Sequence, residues 1–168
     1  MEITIEDKPS LLLAGILLEN VSNKDCPAAW EQLFQNYNVQ ALEELGNGQA
    51  YGVCLNLPRQ GGINYLAGYQ VHDRAKAEEL GLTVMEVTSA KYAILPISGP
   101  VPDSIRQGFQ KAWQEFFPRS IYRHAEGPDL EVYSKQNLSV PNFRWSSGSQ
   151  WLNRGNCGLA GKVWGFNL

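Results

Sequence analysis

A spacing of 79 residues relates several positions in the first half of this 168-residue chain to similar residues in the second half. Adding 79 to a position carries Phe34 to Trp113 and Val53 to Val132. Each half then reads as strand, helix, strand, strand. Because two amphipathic helices would align somewhere by chance, duplication is a hypothesis. It predicts an α+β fold with pseudo-twofold symmetry, in which one antiparallel sheet carries two main helices and a central cleft, a favoured place for ligands.

Hydrophobic periodicity predicts the individual elements. Alternation or apolar runs predict strands at residues 2–6, 11–18, 51–57, 63–71, 82–87, 91–98 and 130–134. Apolar residues at helical spacing predict one helix over residues 25–45 and another over residues 102–118, each beginning at an Asp and Pro pair. A short helix is predicted over residues 73–80, before Gly81.

Composition excludes several classes of protein. A net charge of -3 argues against a nucleic-acid partner, and no apolar run approaches the ~20 residues of a membrane span. Three distant cysteines, Cys26, Cys54 and Cys157, without a secretory signal, predict a cytoplasmic protein with free thiols. His72 and His124 look isolated and solvated, so we expect no metal site and no cofactor.

The segment 127–133 places a carboxylate inside a short strand after a Gly-Pro turn. Side chains alternate between faces of a strand, so Glu131 and Tyr133 share one face while Leu130 and Val132 take the other. A buried carboxylate without a partner is costly, and a cationic ligand would relieve that cost. The segment therefore predicts a cation site if the Glu131 face meets aromatic side chains.

Four motifs in order resemble the GyrI-like effector-binding domain, the ligand-sensing half of many AraC-type and MerR-type regulators. They lie at residues 65–69, 91–95, 112–120 and 129–133. The resemblance covers about residues 3–134 and is nearest to the stand-alone integron-associated effector-binding group. It implies a pseudo-twofold α+β fold whose cleft binds amphipathic, often cationic, small molecules. The family's pocket carboxylate falls on Glu131.

The candidate ligand-binding residues follow from this resemblance and from the alternation around Glu131. They are Glu131, Tyr133, Tyr51, Tyr65, Tyr69, Tyr92, Trp113 and Phe117. Each has a plainer alternative: Glu131 could be a solvent-facing strand residue paired with Lys or Arg, and the tyrosines a solvated row. Trp113 and Phe117, four apart on a helix, could simply pack in the core, as is expected of Trp30.

Two hypotheses of function remain open. In the first, the protein is a binding module that senses or sequesters cationic drugs. In the second, it is a hydrolase that opens cyclopropane-bearing toxins, as some GyrI-like relatives do, with Glu131 as general base. The sequence shows no second acid or base near Glu131. It also lacks a helix-turn-helix module, so we expect no direct binding of nucleic acid, and instead a separate DNA-binding partner or a homodimer.

The C-terminal segment departs from the family pattern. Residues 1–138 are assigned to the effector-binding domain and residues 139–168 to an atypical tail that replaces the last strand. No acidic residue follows Glu131, and three of the five tryptophans lie in this segment. One permissible set of codons for residues 143–153, read in the adjacent frame, gives a family-like ending. We therefore hypothesise a frameshift, with loss of an edge strand; the alternatives are a divergent natural tail or a strand at 142–147.

Overall fold

The computed structural model describes residues 3–57, 61–97, 103–125, 127–133 and the backbone of 162–167. Within these residues, eight strands form one sheet. They are β1 Thr4–Lys8, β2 Leu11–Val21, β3 Ala50–Leu57, β4 Gly62–Gln70, β5 Thr83–Val87, β6 Ala90–Ile97, β7 Asp129–Tyr133 and β8 Lys162–Asn167. The strand order is β1-β6-β8-β7-β3-β4-β2-β5, and neighbouring strands are antiparallel. The predicted α+β fold with an antiparallel sheet is confirmed.

The helices are shorter than the periodicity predicts. The described α-helices are α1 Cys26–Asn36, α2 Val39–Glu43, α3 Arg74–Glu79 and α4 Asp103–Lys111. The single helix predicted over residues 25–45 is wrong, because Asn38 adopts an extended backbone and its side chain accepts hydrogen bonds from the N–H groups of Gln40 and Ala41. An N-cap of this kind begins a new helix. After α4 the chain continues as a π-helical segment, Ala112–Phe116, and a 3-10 turn, Phe117–Arg119.

The helices cover one face of the sheet, which we call the helix face. Helix α1 packs on β2 and β4, and α4 packs on β6. Under α1 lies a core that contains Leu33, Tyr65 and Tyr69, whereas the core at the α4 end contains Leu95 and Phe117. The helix face thus carries two cores, one beneath each main helix.

The opposite face of the sheet buries a core of its own. Leu13, Val53, Leu66 and Leu130 pack there. Strands β5 and β6 lie near opposite ends of the strand order, yet only residues 88–89 separate them along the chain. Because so short a link spans at most about 10 Å, the sheet must curve until its two ends approach. The curvature encloses this second core.

The C-terminal segment contributes a strand to the sheet. β8 pairs with β6 on one side and with β7 on the other. A strand from the segment 139–168 therefore lies inside the sheet between β6 and β7, whereas the frameshift hypothesis expects a lost edge strand and unpaired backbone on its neighbour. The alternative strand at 142–147 lies outside the described residues, and the division of the chain at residue 138 stays a prediction. The coding DNA tests the frameshift hypothesis directly.

None of the helices in the described part of the chain is both long enough and apolar enough to cross a membrane.

Candidate functional site

The middle of the sheet places a carboxylate on the helix face. In β7, alternation puts Asp129, Glu131 and Tyr133 on the same side. The register pairs Glu131 with Gly52 of β3, and Gly52 with Ala67 of β4. Residues paired across strands share a face, so Glu131 lies on the side covered by α1. The carboxylate is partly buried.

Two phenols donate hydrogen bonds to one oxygen of this carboxylate. Tyr65 Oη donates to Glu131 Oε2 over 2.7 Å, and Tyr133 Oη donates to the same oxygen. Trp30 of α1 extends the chain of bonds, because its Nε1–H donates to Tyr65 Oη over 2.9 Å. The Trp30 ring also meets the Tyr133 ring edge-on, with centroids 5.1 Å apart. These four residues are named the carboxylate cluster.

The negative charge on Glu131 contributes to raised pKa values in neighbouring side chains. Burial, and then the Glu131 charge, raise the pKa of Tyr65 and the pKa of Tyr133 well above the usual range. Both phenols therefore stay protonated and act as donors. Burial also raises the pKa of the Cys26 and Cys54 thiols to about 12, with further contributions from Glu131 at Cys26 and from Asp129 at Cys54. Neutral thiols, such as the partly buried Cys26 and the buried Cys54, are weak nucleophiles and weak metal ligands.

These shifts predict a loss of stability in alkali. The folded-state pKa values of Tyr65, Tyr133, Cys26 and Cys54 lie above those of an unfolded chain, so their contribution is intact below about pH 8. Above that pH the unfolded state loses protons that the folded state keeps. The free energy of unfolding should then fall by up to roughly 1.4 kcal/mol per pH unit for each group. Urea unfolding at a series of pH values from about 9 to about 12 measures the slope.

The control for this experiment is Tyr65→Phe, which removes one titrating phenol and should make the slope shallower. A free energy of unfolding that stays level across the series would contradict the prediction.

The structure gathers some of the predicted site residues and separates others. Tyr65 and Tyr133 contact Glu131 directly. Tyr69 lies on the same face in the α1 core, fully buried, and its hydroxyl has no hydrogen-bond partner among the described residues. Tyr51 and Tyr92 lie in the core of the opposite face, where Tyr92 Oη donates to the Pro128 carbonyl over 3.4 Å.

Trp113 and Phe117 lie at the α4 end of the helix face, with ring centroids 4.9 Å apart. Phe117 is buried in that core, whereas Trp113 is 48% exposed. The Trp113 ring packs against His124, with centroids 5.3 Å apart. These two residues thus belong to a second group of side chains, next to the carboxylate cluster along β7.

A histidine and an aspartate belong to that second group, and neither was predicted as a site residue from the sequence. The interpretation of His124 as isolated and solvated is wrong, because its side chain is only 14% exposed and Nε2 lies 2.8 and 3.1 Å from the two carboxylate oxygens of Asp129. Asp129 is buried and faces the same side as Glu131, two residues away. The expectation that no second acid or base lies near Glu131 is therefore wrong as well. The alternation that grouped Glu131 with Tyr133 could have identified Asp129.

Other features of the described residues lie apart from the carboxylate cluster. No group of His, Cys, Asp and Glu side chains in this part of the chain is arranged to hold a metal ion. An open groove of about 500 Å³ lies between β2, the end of β4 and α3, and its lining includes Leu12, His72, Arg74 and Glu86. Arg74 and Glu86 form an exposed ion pair of 3.9 Å there. The groove lining mixes polar and apolar side chains and does not include Glu131.

Comparison with solved structures finds the same fold. SAV2435 bound to tetraphenylphosphonium superposes with a TM-score of 0.72 at 16% identity, over 99% of this chain and 93% of that chain. An integron cassette protein from the mobile metagenome of Vibrio cholerae gives a TM-score of 0.65 at 16% identity, over 98% of this chain and 94% of that chain. EcmrR in a complex with DNA gives 0.65 at 10% identity, over 99% of this chain and 56% of EcmrR.

Sequence comparison identifies the family. No curated protein sequence matches the chain at a significant level. Residues 4–145, which make up most of the chain, match the family described as Cass2, integron-associated effector binding protein. This agrees with the resemblance found in the four sequence motifs. The chain therefore belongs to the integron-associated effector binding protein family.

Proposed function

We propose that this protein binds amphipathic, cationic, drug-like compounds, and that Glu131 supplies the negative charge that attracts them. The observation that carries the proposal is the carboxylate cluster: an anionic group on the helix face, bound by two buried phenols beside an indole. A cation near such a group gains electrostatic energy that bulk water would otherwise screen. Each favourable contact with an aromatic face adds about 0.5–2 kcal/mol.

The ligand would approach from the partly exposed side of Glu131, because the Trp30 and Tyr65 side chains are buried. Both phenols already donate to Glu131 Oε2. A cation without N–H groups, such as a phosphonium, need not displace either phenol to benefit from the negative charge. SAV2435, of the same fold, was solved with tetraphenylphosphonium, which supports the choice of this compound as a probe.

Binding is preferred to hydrolysis for a chemical reason. Hydrogen bonds donated to a carboxylate stabilise its charged form. Glu131 accepts two of them from neutral phenols. Because Oε2 already accepts both of these bonds, the carboxylate has fewer acceptor positions left for a water molecule, yet it remains a good counterion. The same geometry therefore favours capture of a cation over activation of a water molecule.

The proposal predicts selective binding of a lipophilic cation. Titration calorimetry and thermal unfolding are run with tetraphenylphosphonium and with triphenylphosphine oxide, a neutral compound of similar shape. We expect saturable binding of the cation and weaker binding of the oxide. A ligand at about 100 times its Kd stabilises a native state by about 2.7 kcal/mol, so the cation should raise Tm measurably. Equal affinity for the two compounds, or no binding of the cation, would contradict the proposal.

We also propose that the fold is a duplicated unit with a pseudo-twofold axis at this site. The strand order supports this proposal. Exchanging β1 with β5, β2 with β6, β3 with β7 and β4 with β8 turns the order into its own reverse, as a twofold axis requires. The 79-residue spacing carries Gly52 to Glu131, and these two residues face each other in the register. The axis would then pass through this pair. One repeat would supply the carboxylate of Glu131. The other repeat would supply Gly52, whose missing side chain leaves room for that carboxylate.

The proposed output is sensing or sequestration of the ligand in the cytoplasm. EcmrR, whose C-terminal domain shares this fold, was solved on DNA. By analogy, a ligand-dependent signal here would pass to a separate DNA-binding partner or through a homodimer.

A further inference from the structure

Gly52 lies directly beneath the charged group of the carboxylate cluster. It faces Glu131 across the β3–β7 pair. A Cβ atom at this position would lie 2.4 Å from Glu131 Oε2, 2.4 Å from Tyr65 Oη and 3.0 Å from Glu131 Cδ. The carboxylate and the phenol oxygen therefore occupy the space that a side chain would take. Glycine inside a strand often marks such a close approach.

The two crowded oxygens belong to the same hydrogen bond, the 2.7 Å bond from Tyr65 to Glu131. Non-bonded heavy atoms prefer separations well above 3 Å, about 3.5–4.0 Å between carbon atoms, so a carbon–oxygen contact of 2.4 Å must be relieved by movement. Tyr65 has little freedom, since it is 2% exposed and also accepts the bond from Trp30. Glu131 is partly exposed, so a methyl group at residue 52 would push its carboxylate off the sheet and toward solvent.

We propose that Gly52 is a positioning residue of the binding site: its missing side chain lets the Glu131 carboxylate lie against the sheet, where Tyr65 and Tyr133 both reach it. This inference rests on the proposed function and deepens it. Gly52 acts through Glu131 and needs no contact with the ligand. A carboxylate displaced toward water is more strongly screened, so the site should lose its preference for a cation over a neutral compound.

The test is Gly52→Ala, with the dissociation constants of tetraphenylphosphonium and triphenylphosphine oxide as the readout. We expect the affinity for the cation to fall about tenfold or more, and the affinity for the oxide to change less than about threefold. If Gly52 had only a structural role, Gly52→Ala would lower the affinity for both compounds by a similar factor. The matched control is Gly108→Ala in α4, where a Cβ would lie 3.3 Å from Leu95 Cδ2 and away from Glu131; it should leave both affinities unchanged.

A double mutant separates this inference from the proposed function. In a Glu131→Gln background, Gly52→Ala should cost no further affinity for the cation. If the native protein binds the cation no better than the oxide, the proposed function fails. If the native protein prefers the cation and Gly52→Ala keeps that preference, the role given to Gly52 is overturned while the proposed function stands.

A third variant tests the position of Gly52 without any ligand, and also covers the case in which Gly52→Ala folds poorly. Tyr65→Phe removes one of the two oxygens that the new methyl group would strike. Gly52→Ala should therefore reduce Tm less in the Tyr65→Phe background than in the native chain. Equal reductions in the two backgrounds would show that the methyl group does not act at the Tyr65–Glu131 bond, and would overturn the inference whatever the protein binds.

Discussion

Replacing Glu131 with Gln should weaken tetraphenylphosphonium binding ten- to a hundredfold and leave the protein folded. Two unit charges about 5 Å apart attract by roughly 3 kcal/mol at an effective dielectric constant of 20, and tenfold in Kd corresponds to about 1.4 kcal/mol. The glutamine amide keeps an oxygen that Tyr65 and Tyr133 can donate to, so the cluster is preserved while the charge is lost. Titration calorimetry on both proteins measures the change.

The control is Glu79→Gln. Glu79 is exposed on α3, so this substitution removes the same charge at a position away from the sheet centre. It should leave the affinity almost unchanged, and the oxide should bind Glu131→Gln as it binds the native protein. If the two glutamine variants bind tetraphenylphosphonium equally well, Glu131 is not the counterion and the assignment of the site fails.

Leu33→Ala should lower the free energy of unfolding by about 2–5 kcal/mol, the usual cost of removing a fully buried leucine side chain. Leu33 is 0% exposed in the core beneath α1. Since α1 also carries Trp30, a cavity beneath this helix should loosen the Trp30 bond to Tyr65. Urea denaturation followed by circular dichroism gives the free energy.

Gln32→Ala is the comparison, since Gln32 neighbours Leu33 on the exposed side of α1. Alanine has a good helix propensity, so this variant should change stability by less than about 0.5 kcal/mol. A loss below about 1 kcal/mol in Leu33→Ala would mean that α1 is not held to the sheet by this core.

Local pattern was sufficient for the order of the strands from β1 to β7, but it did not identify β8. Apolar alternation and helical spacing depend on neighbouring residues, so the strands around Val53 and Glu131 and the helix around Trp30 could be predicted without tertiary information. The same reasoning grouped Glu131 with Tyr133 on one face. It failed at Asn38, where a side chain competes with the helix for backbone N–H groups, a choice that spacing does not encode.

The pairing register decided which residues meet. The register places Tyr51 opposite Gly68, so that Tyr51 and Tyr65 fall on different faces of the sheet. A shift of one residue would exchange the faces of the whole strand. The partnership of His124 with Asp129 likewise depends on how the chain folds back onto β7.

The sequence by itself determined the family, the alternating strands and the presence of a carboxylate at residue 131. Tertiary structure alone decided that Tyr65, Tyr133 and Trp30 converge on this carboxylate, and that Gly52 leaves room for it. The physical reason is that periodicity within a segment reports its own faces, whereas contacts between segments depend on register and on the curvature of the sheet, which long-range packing sets.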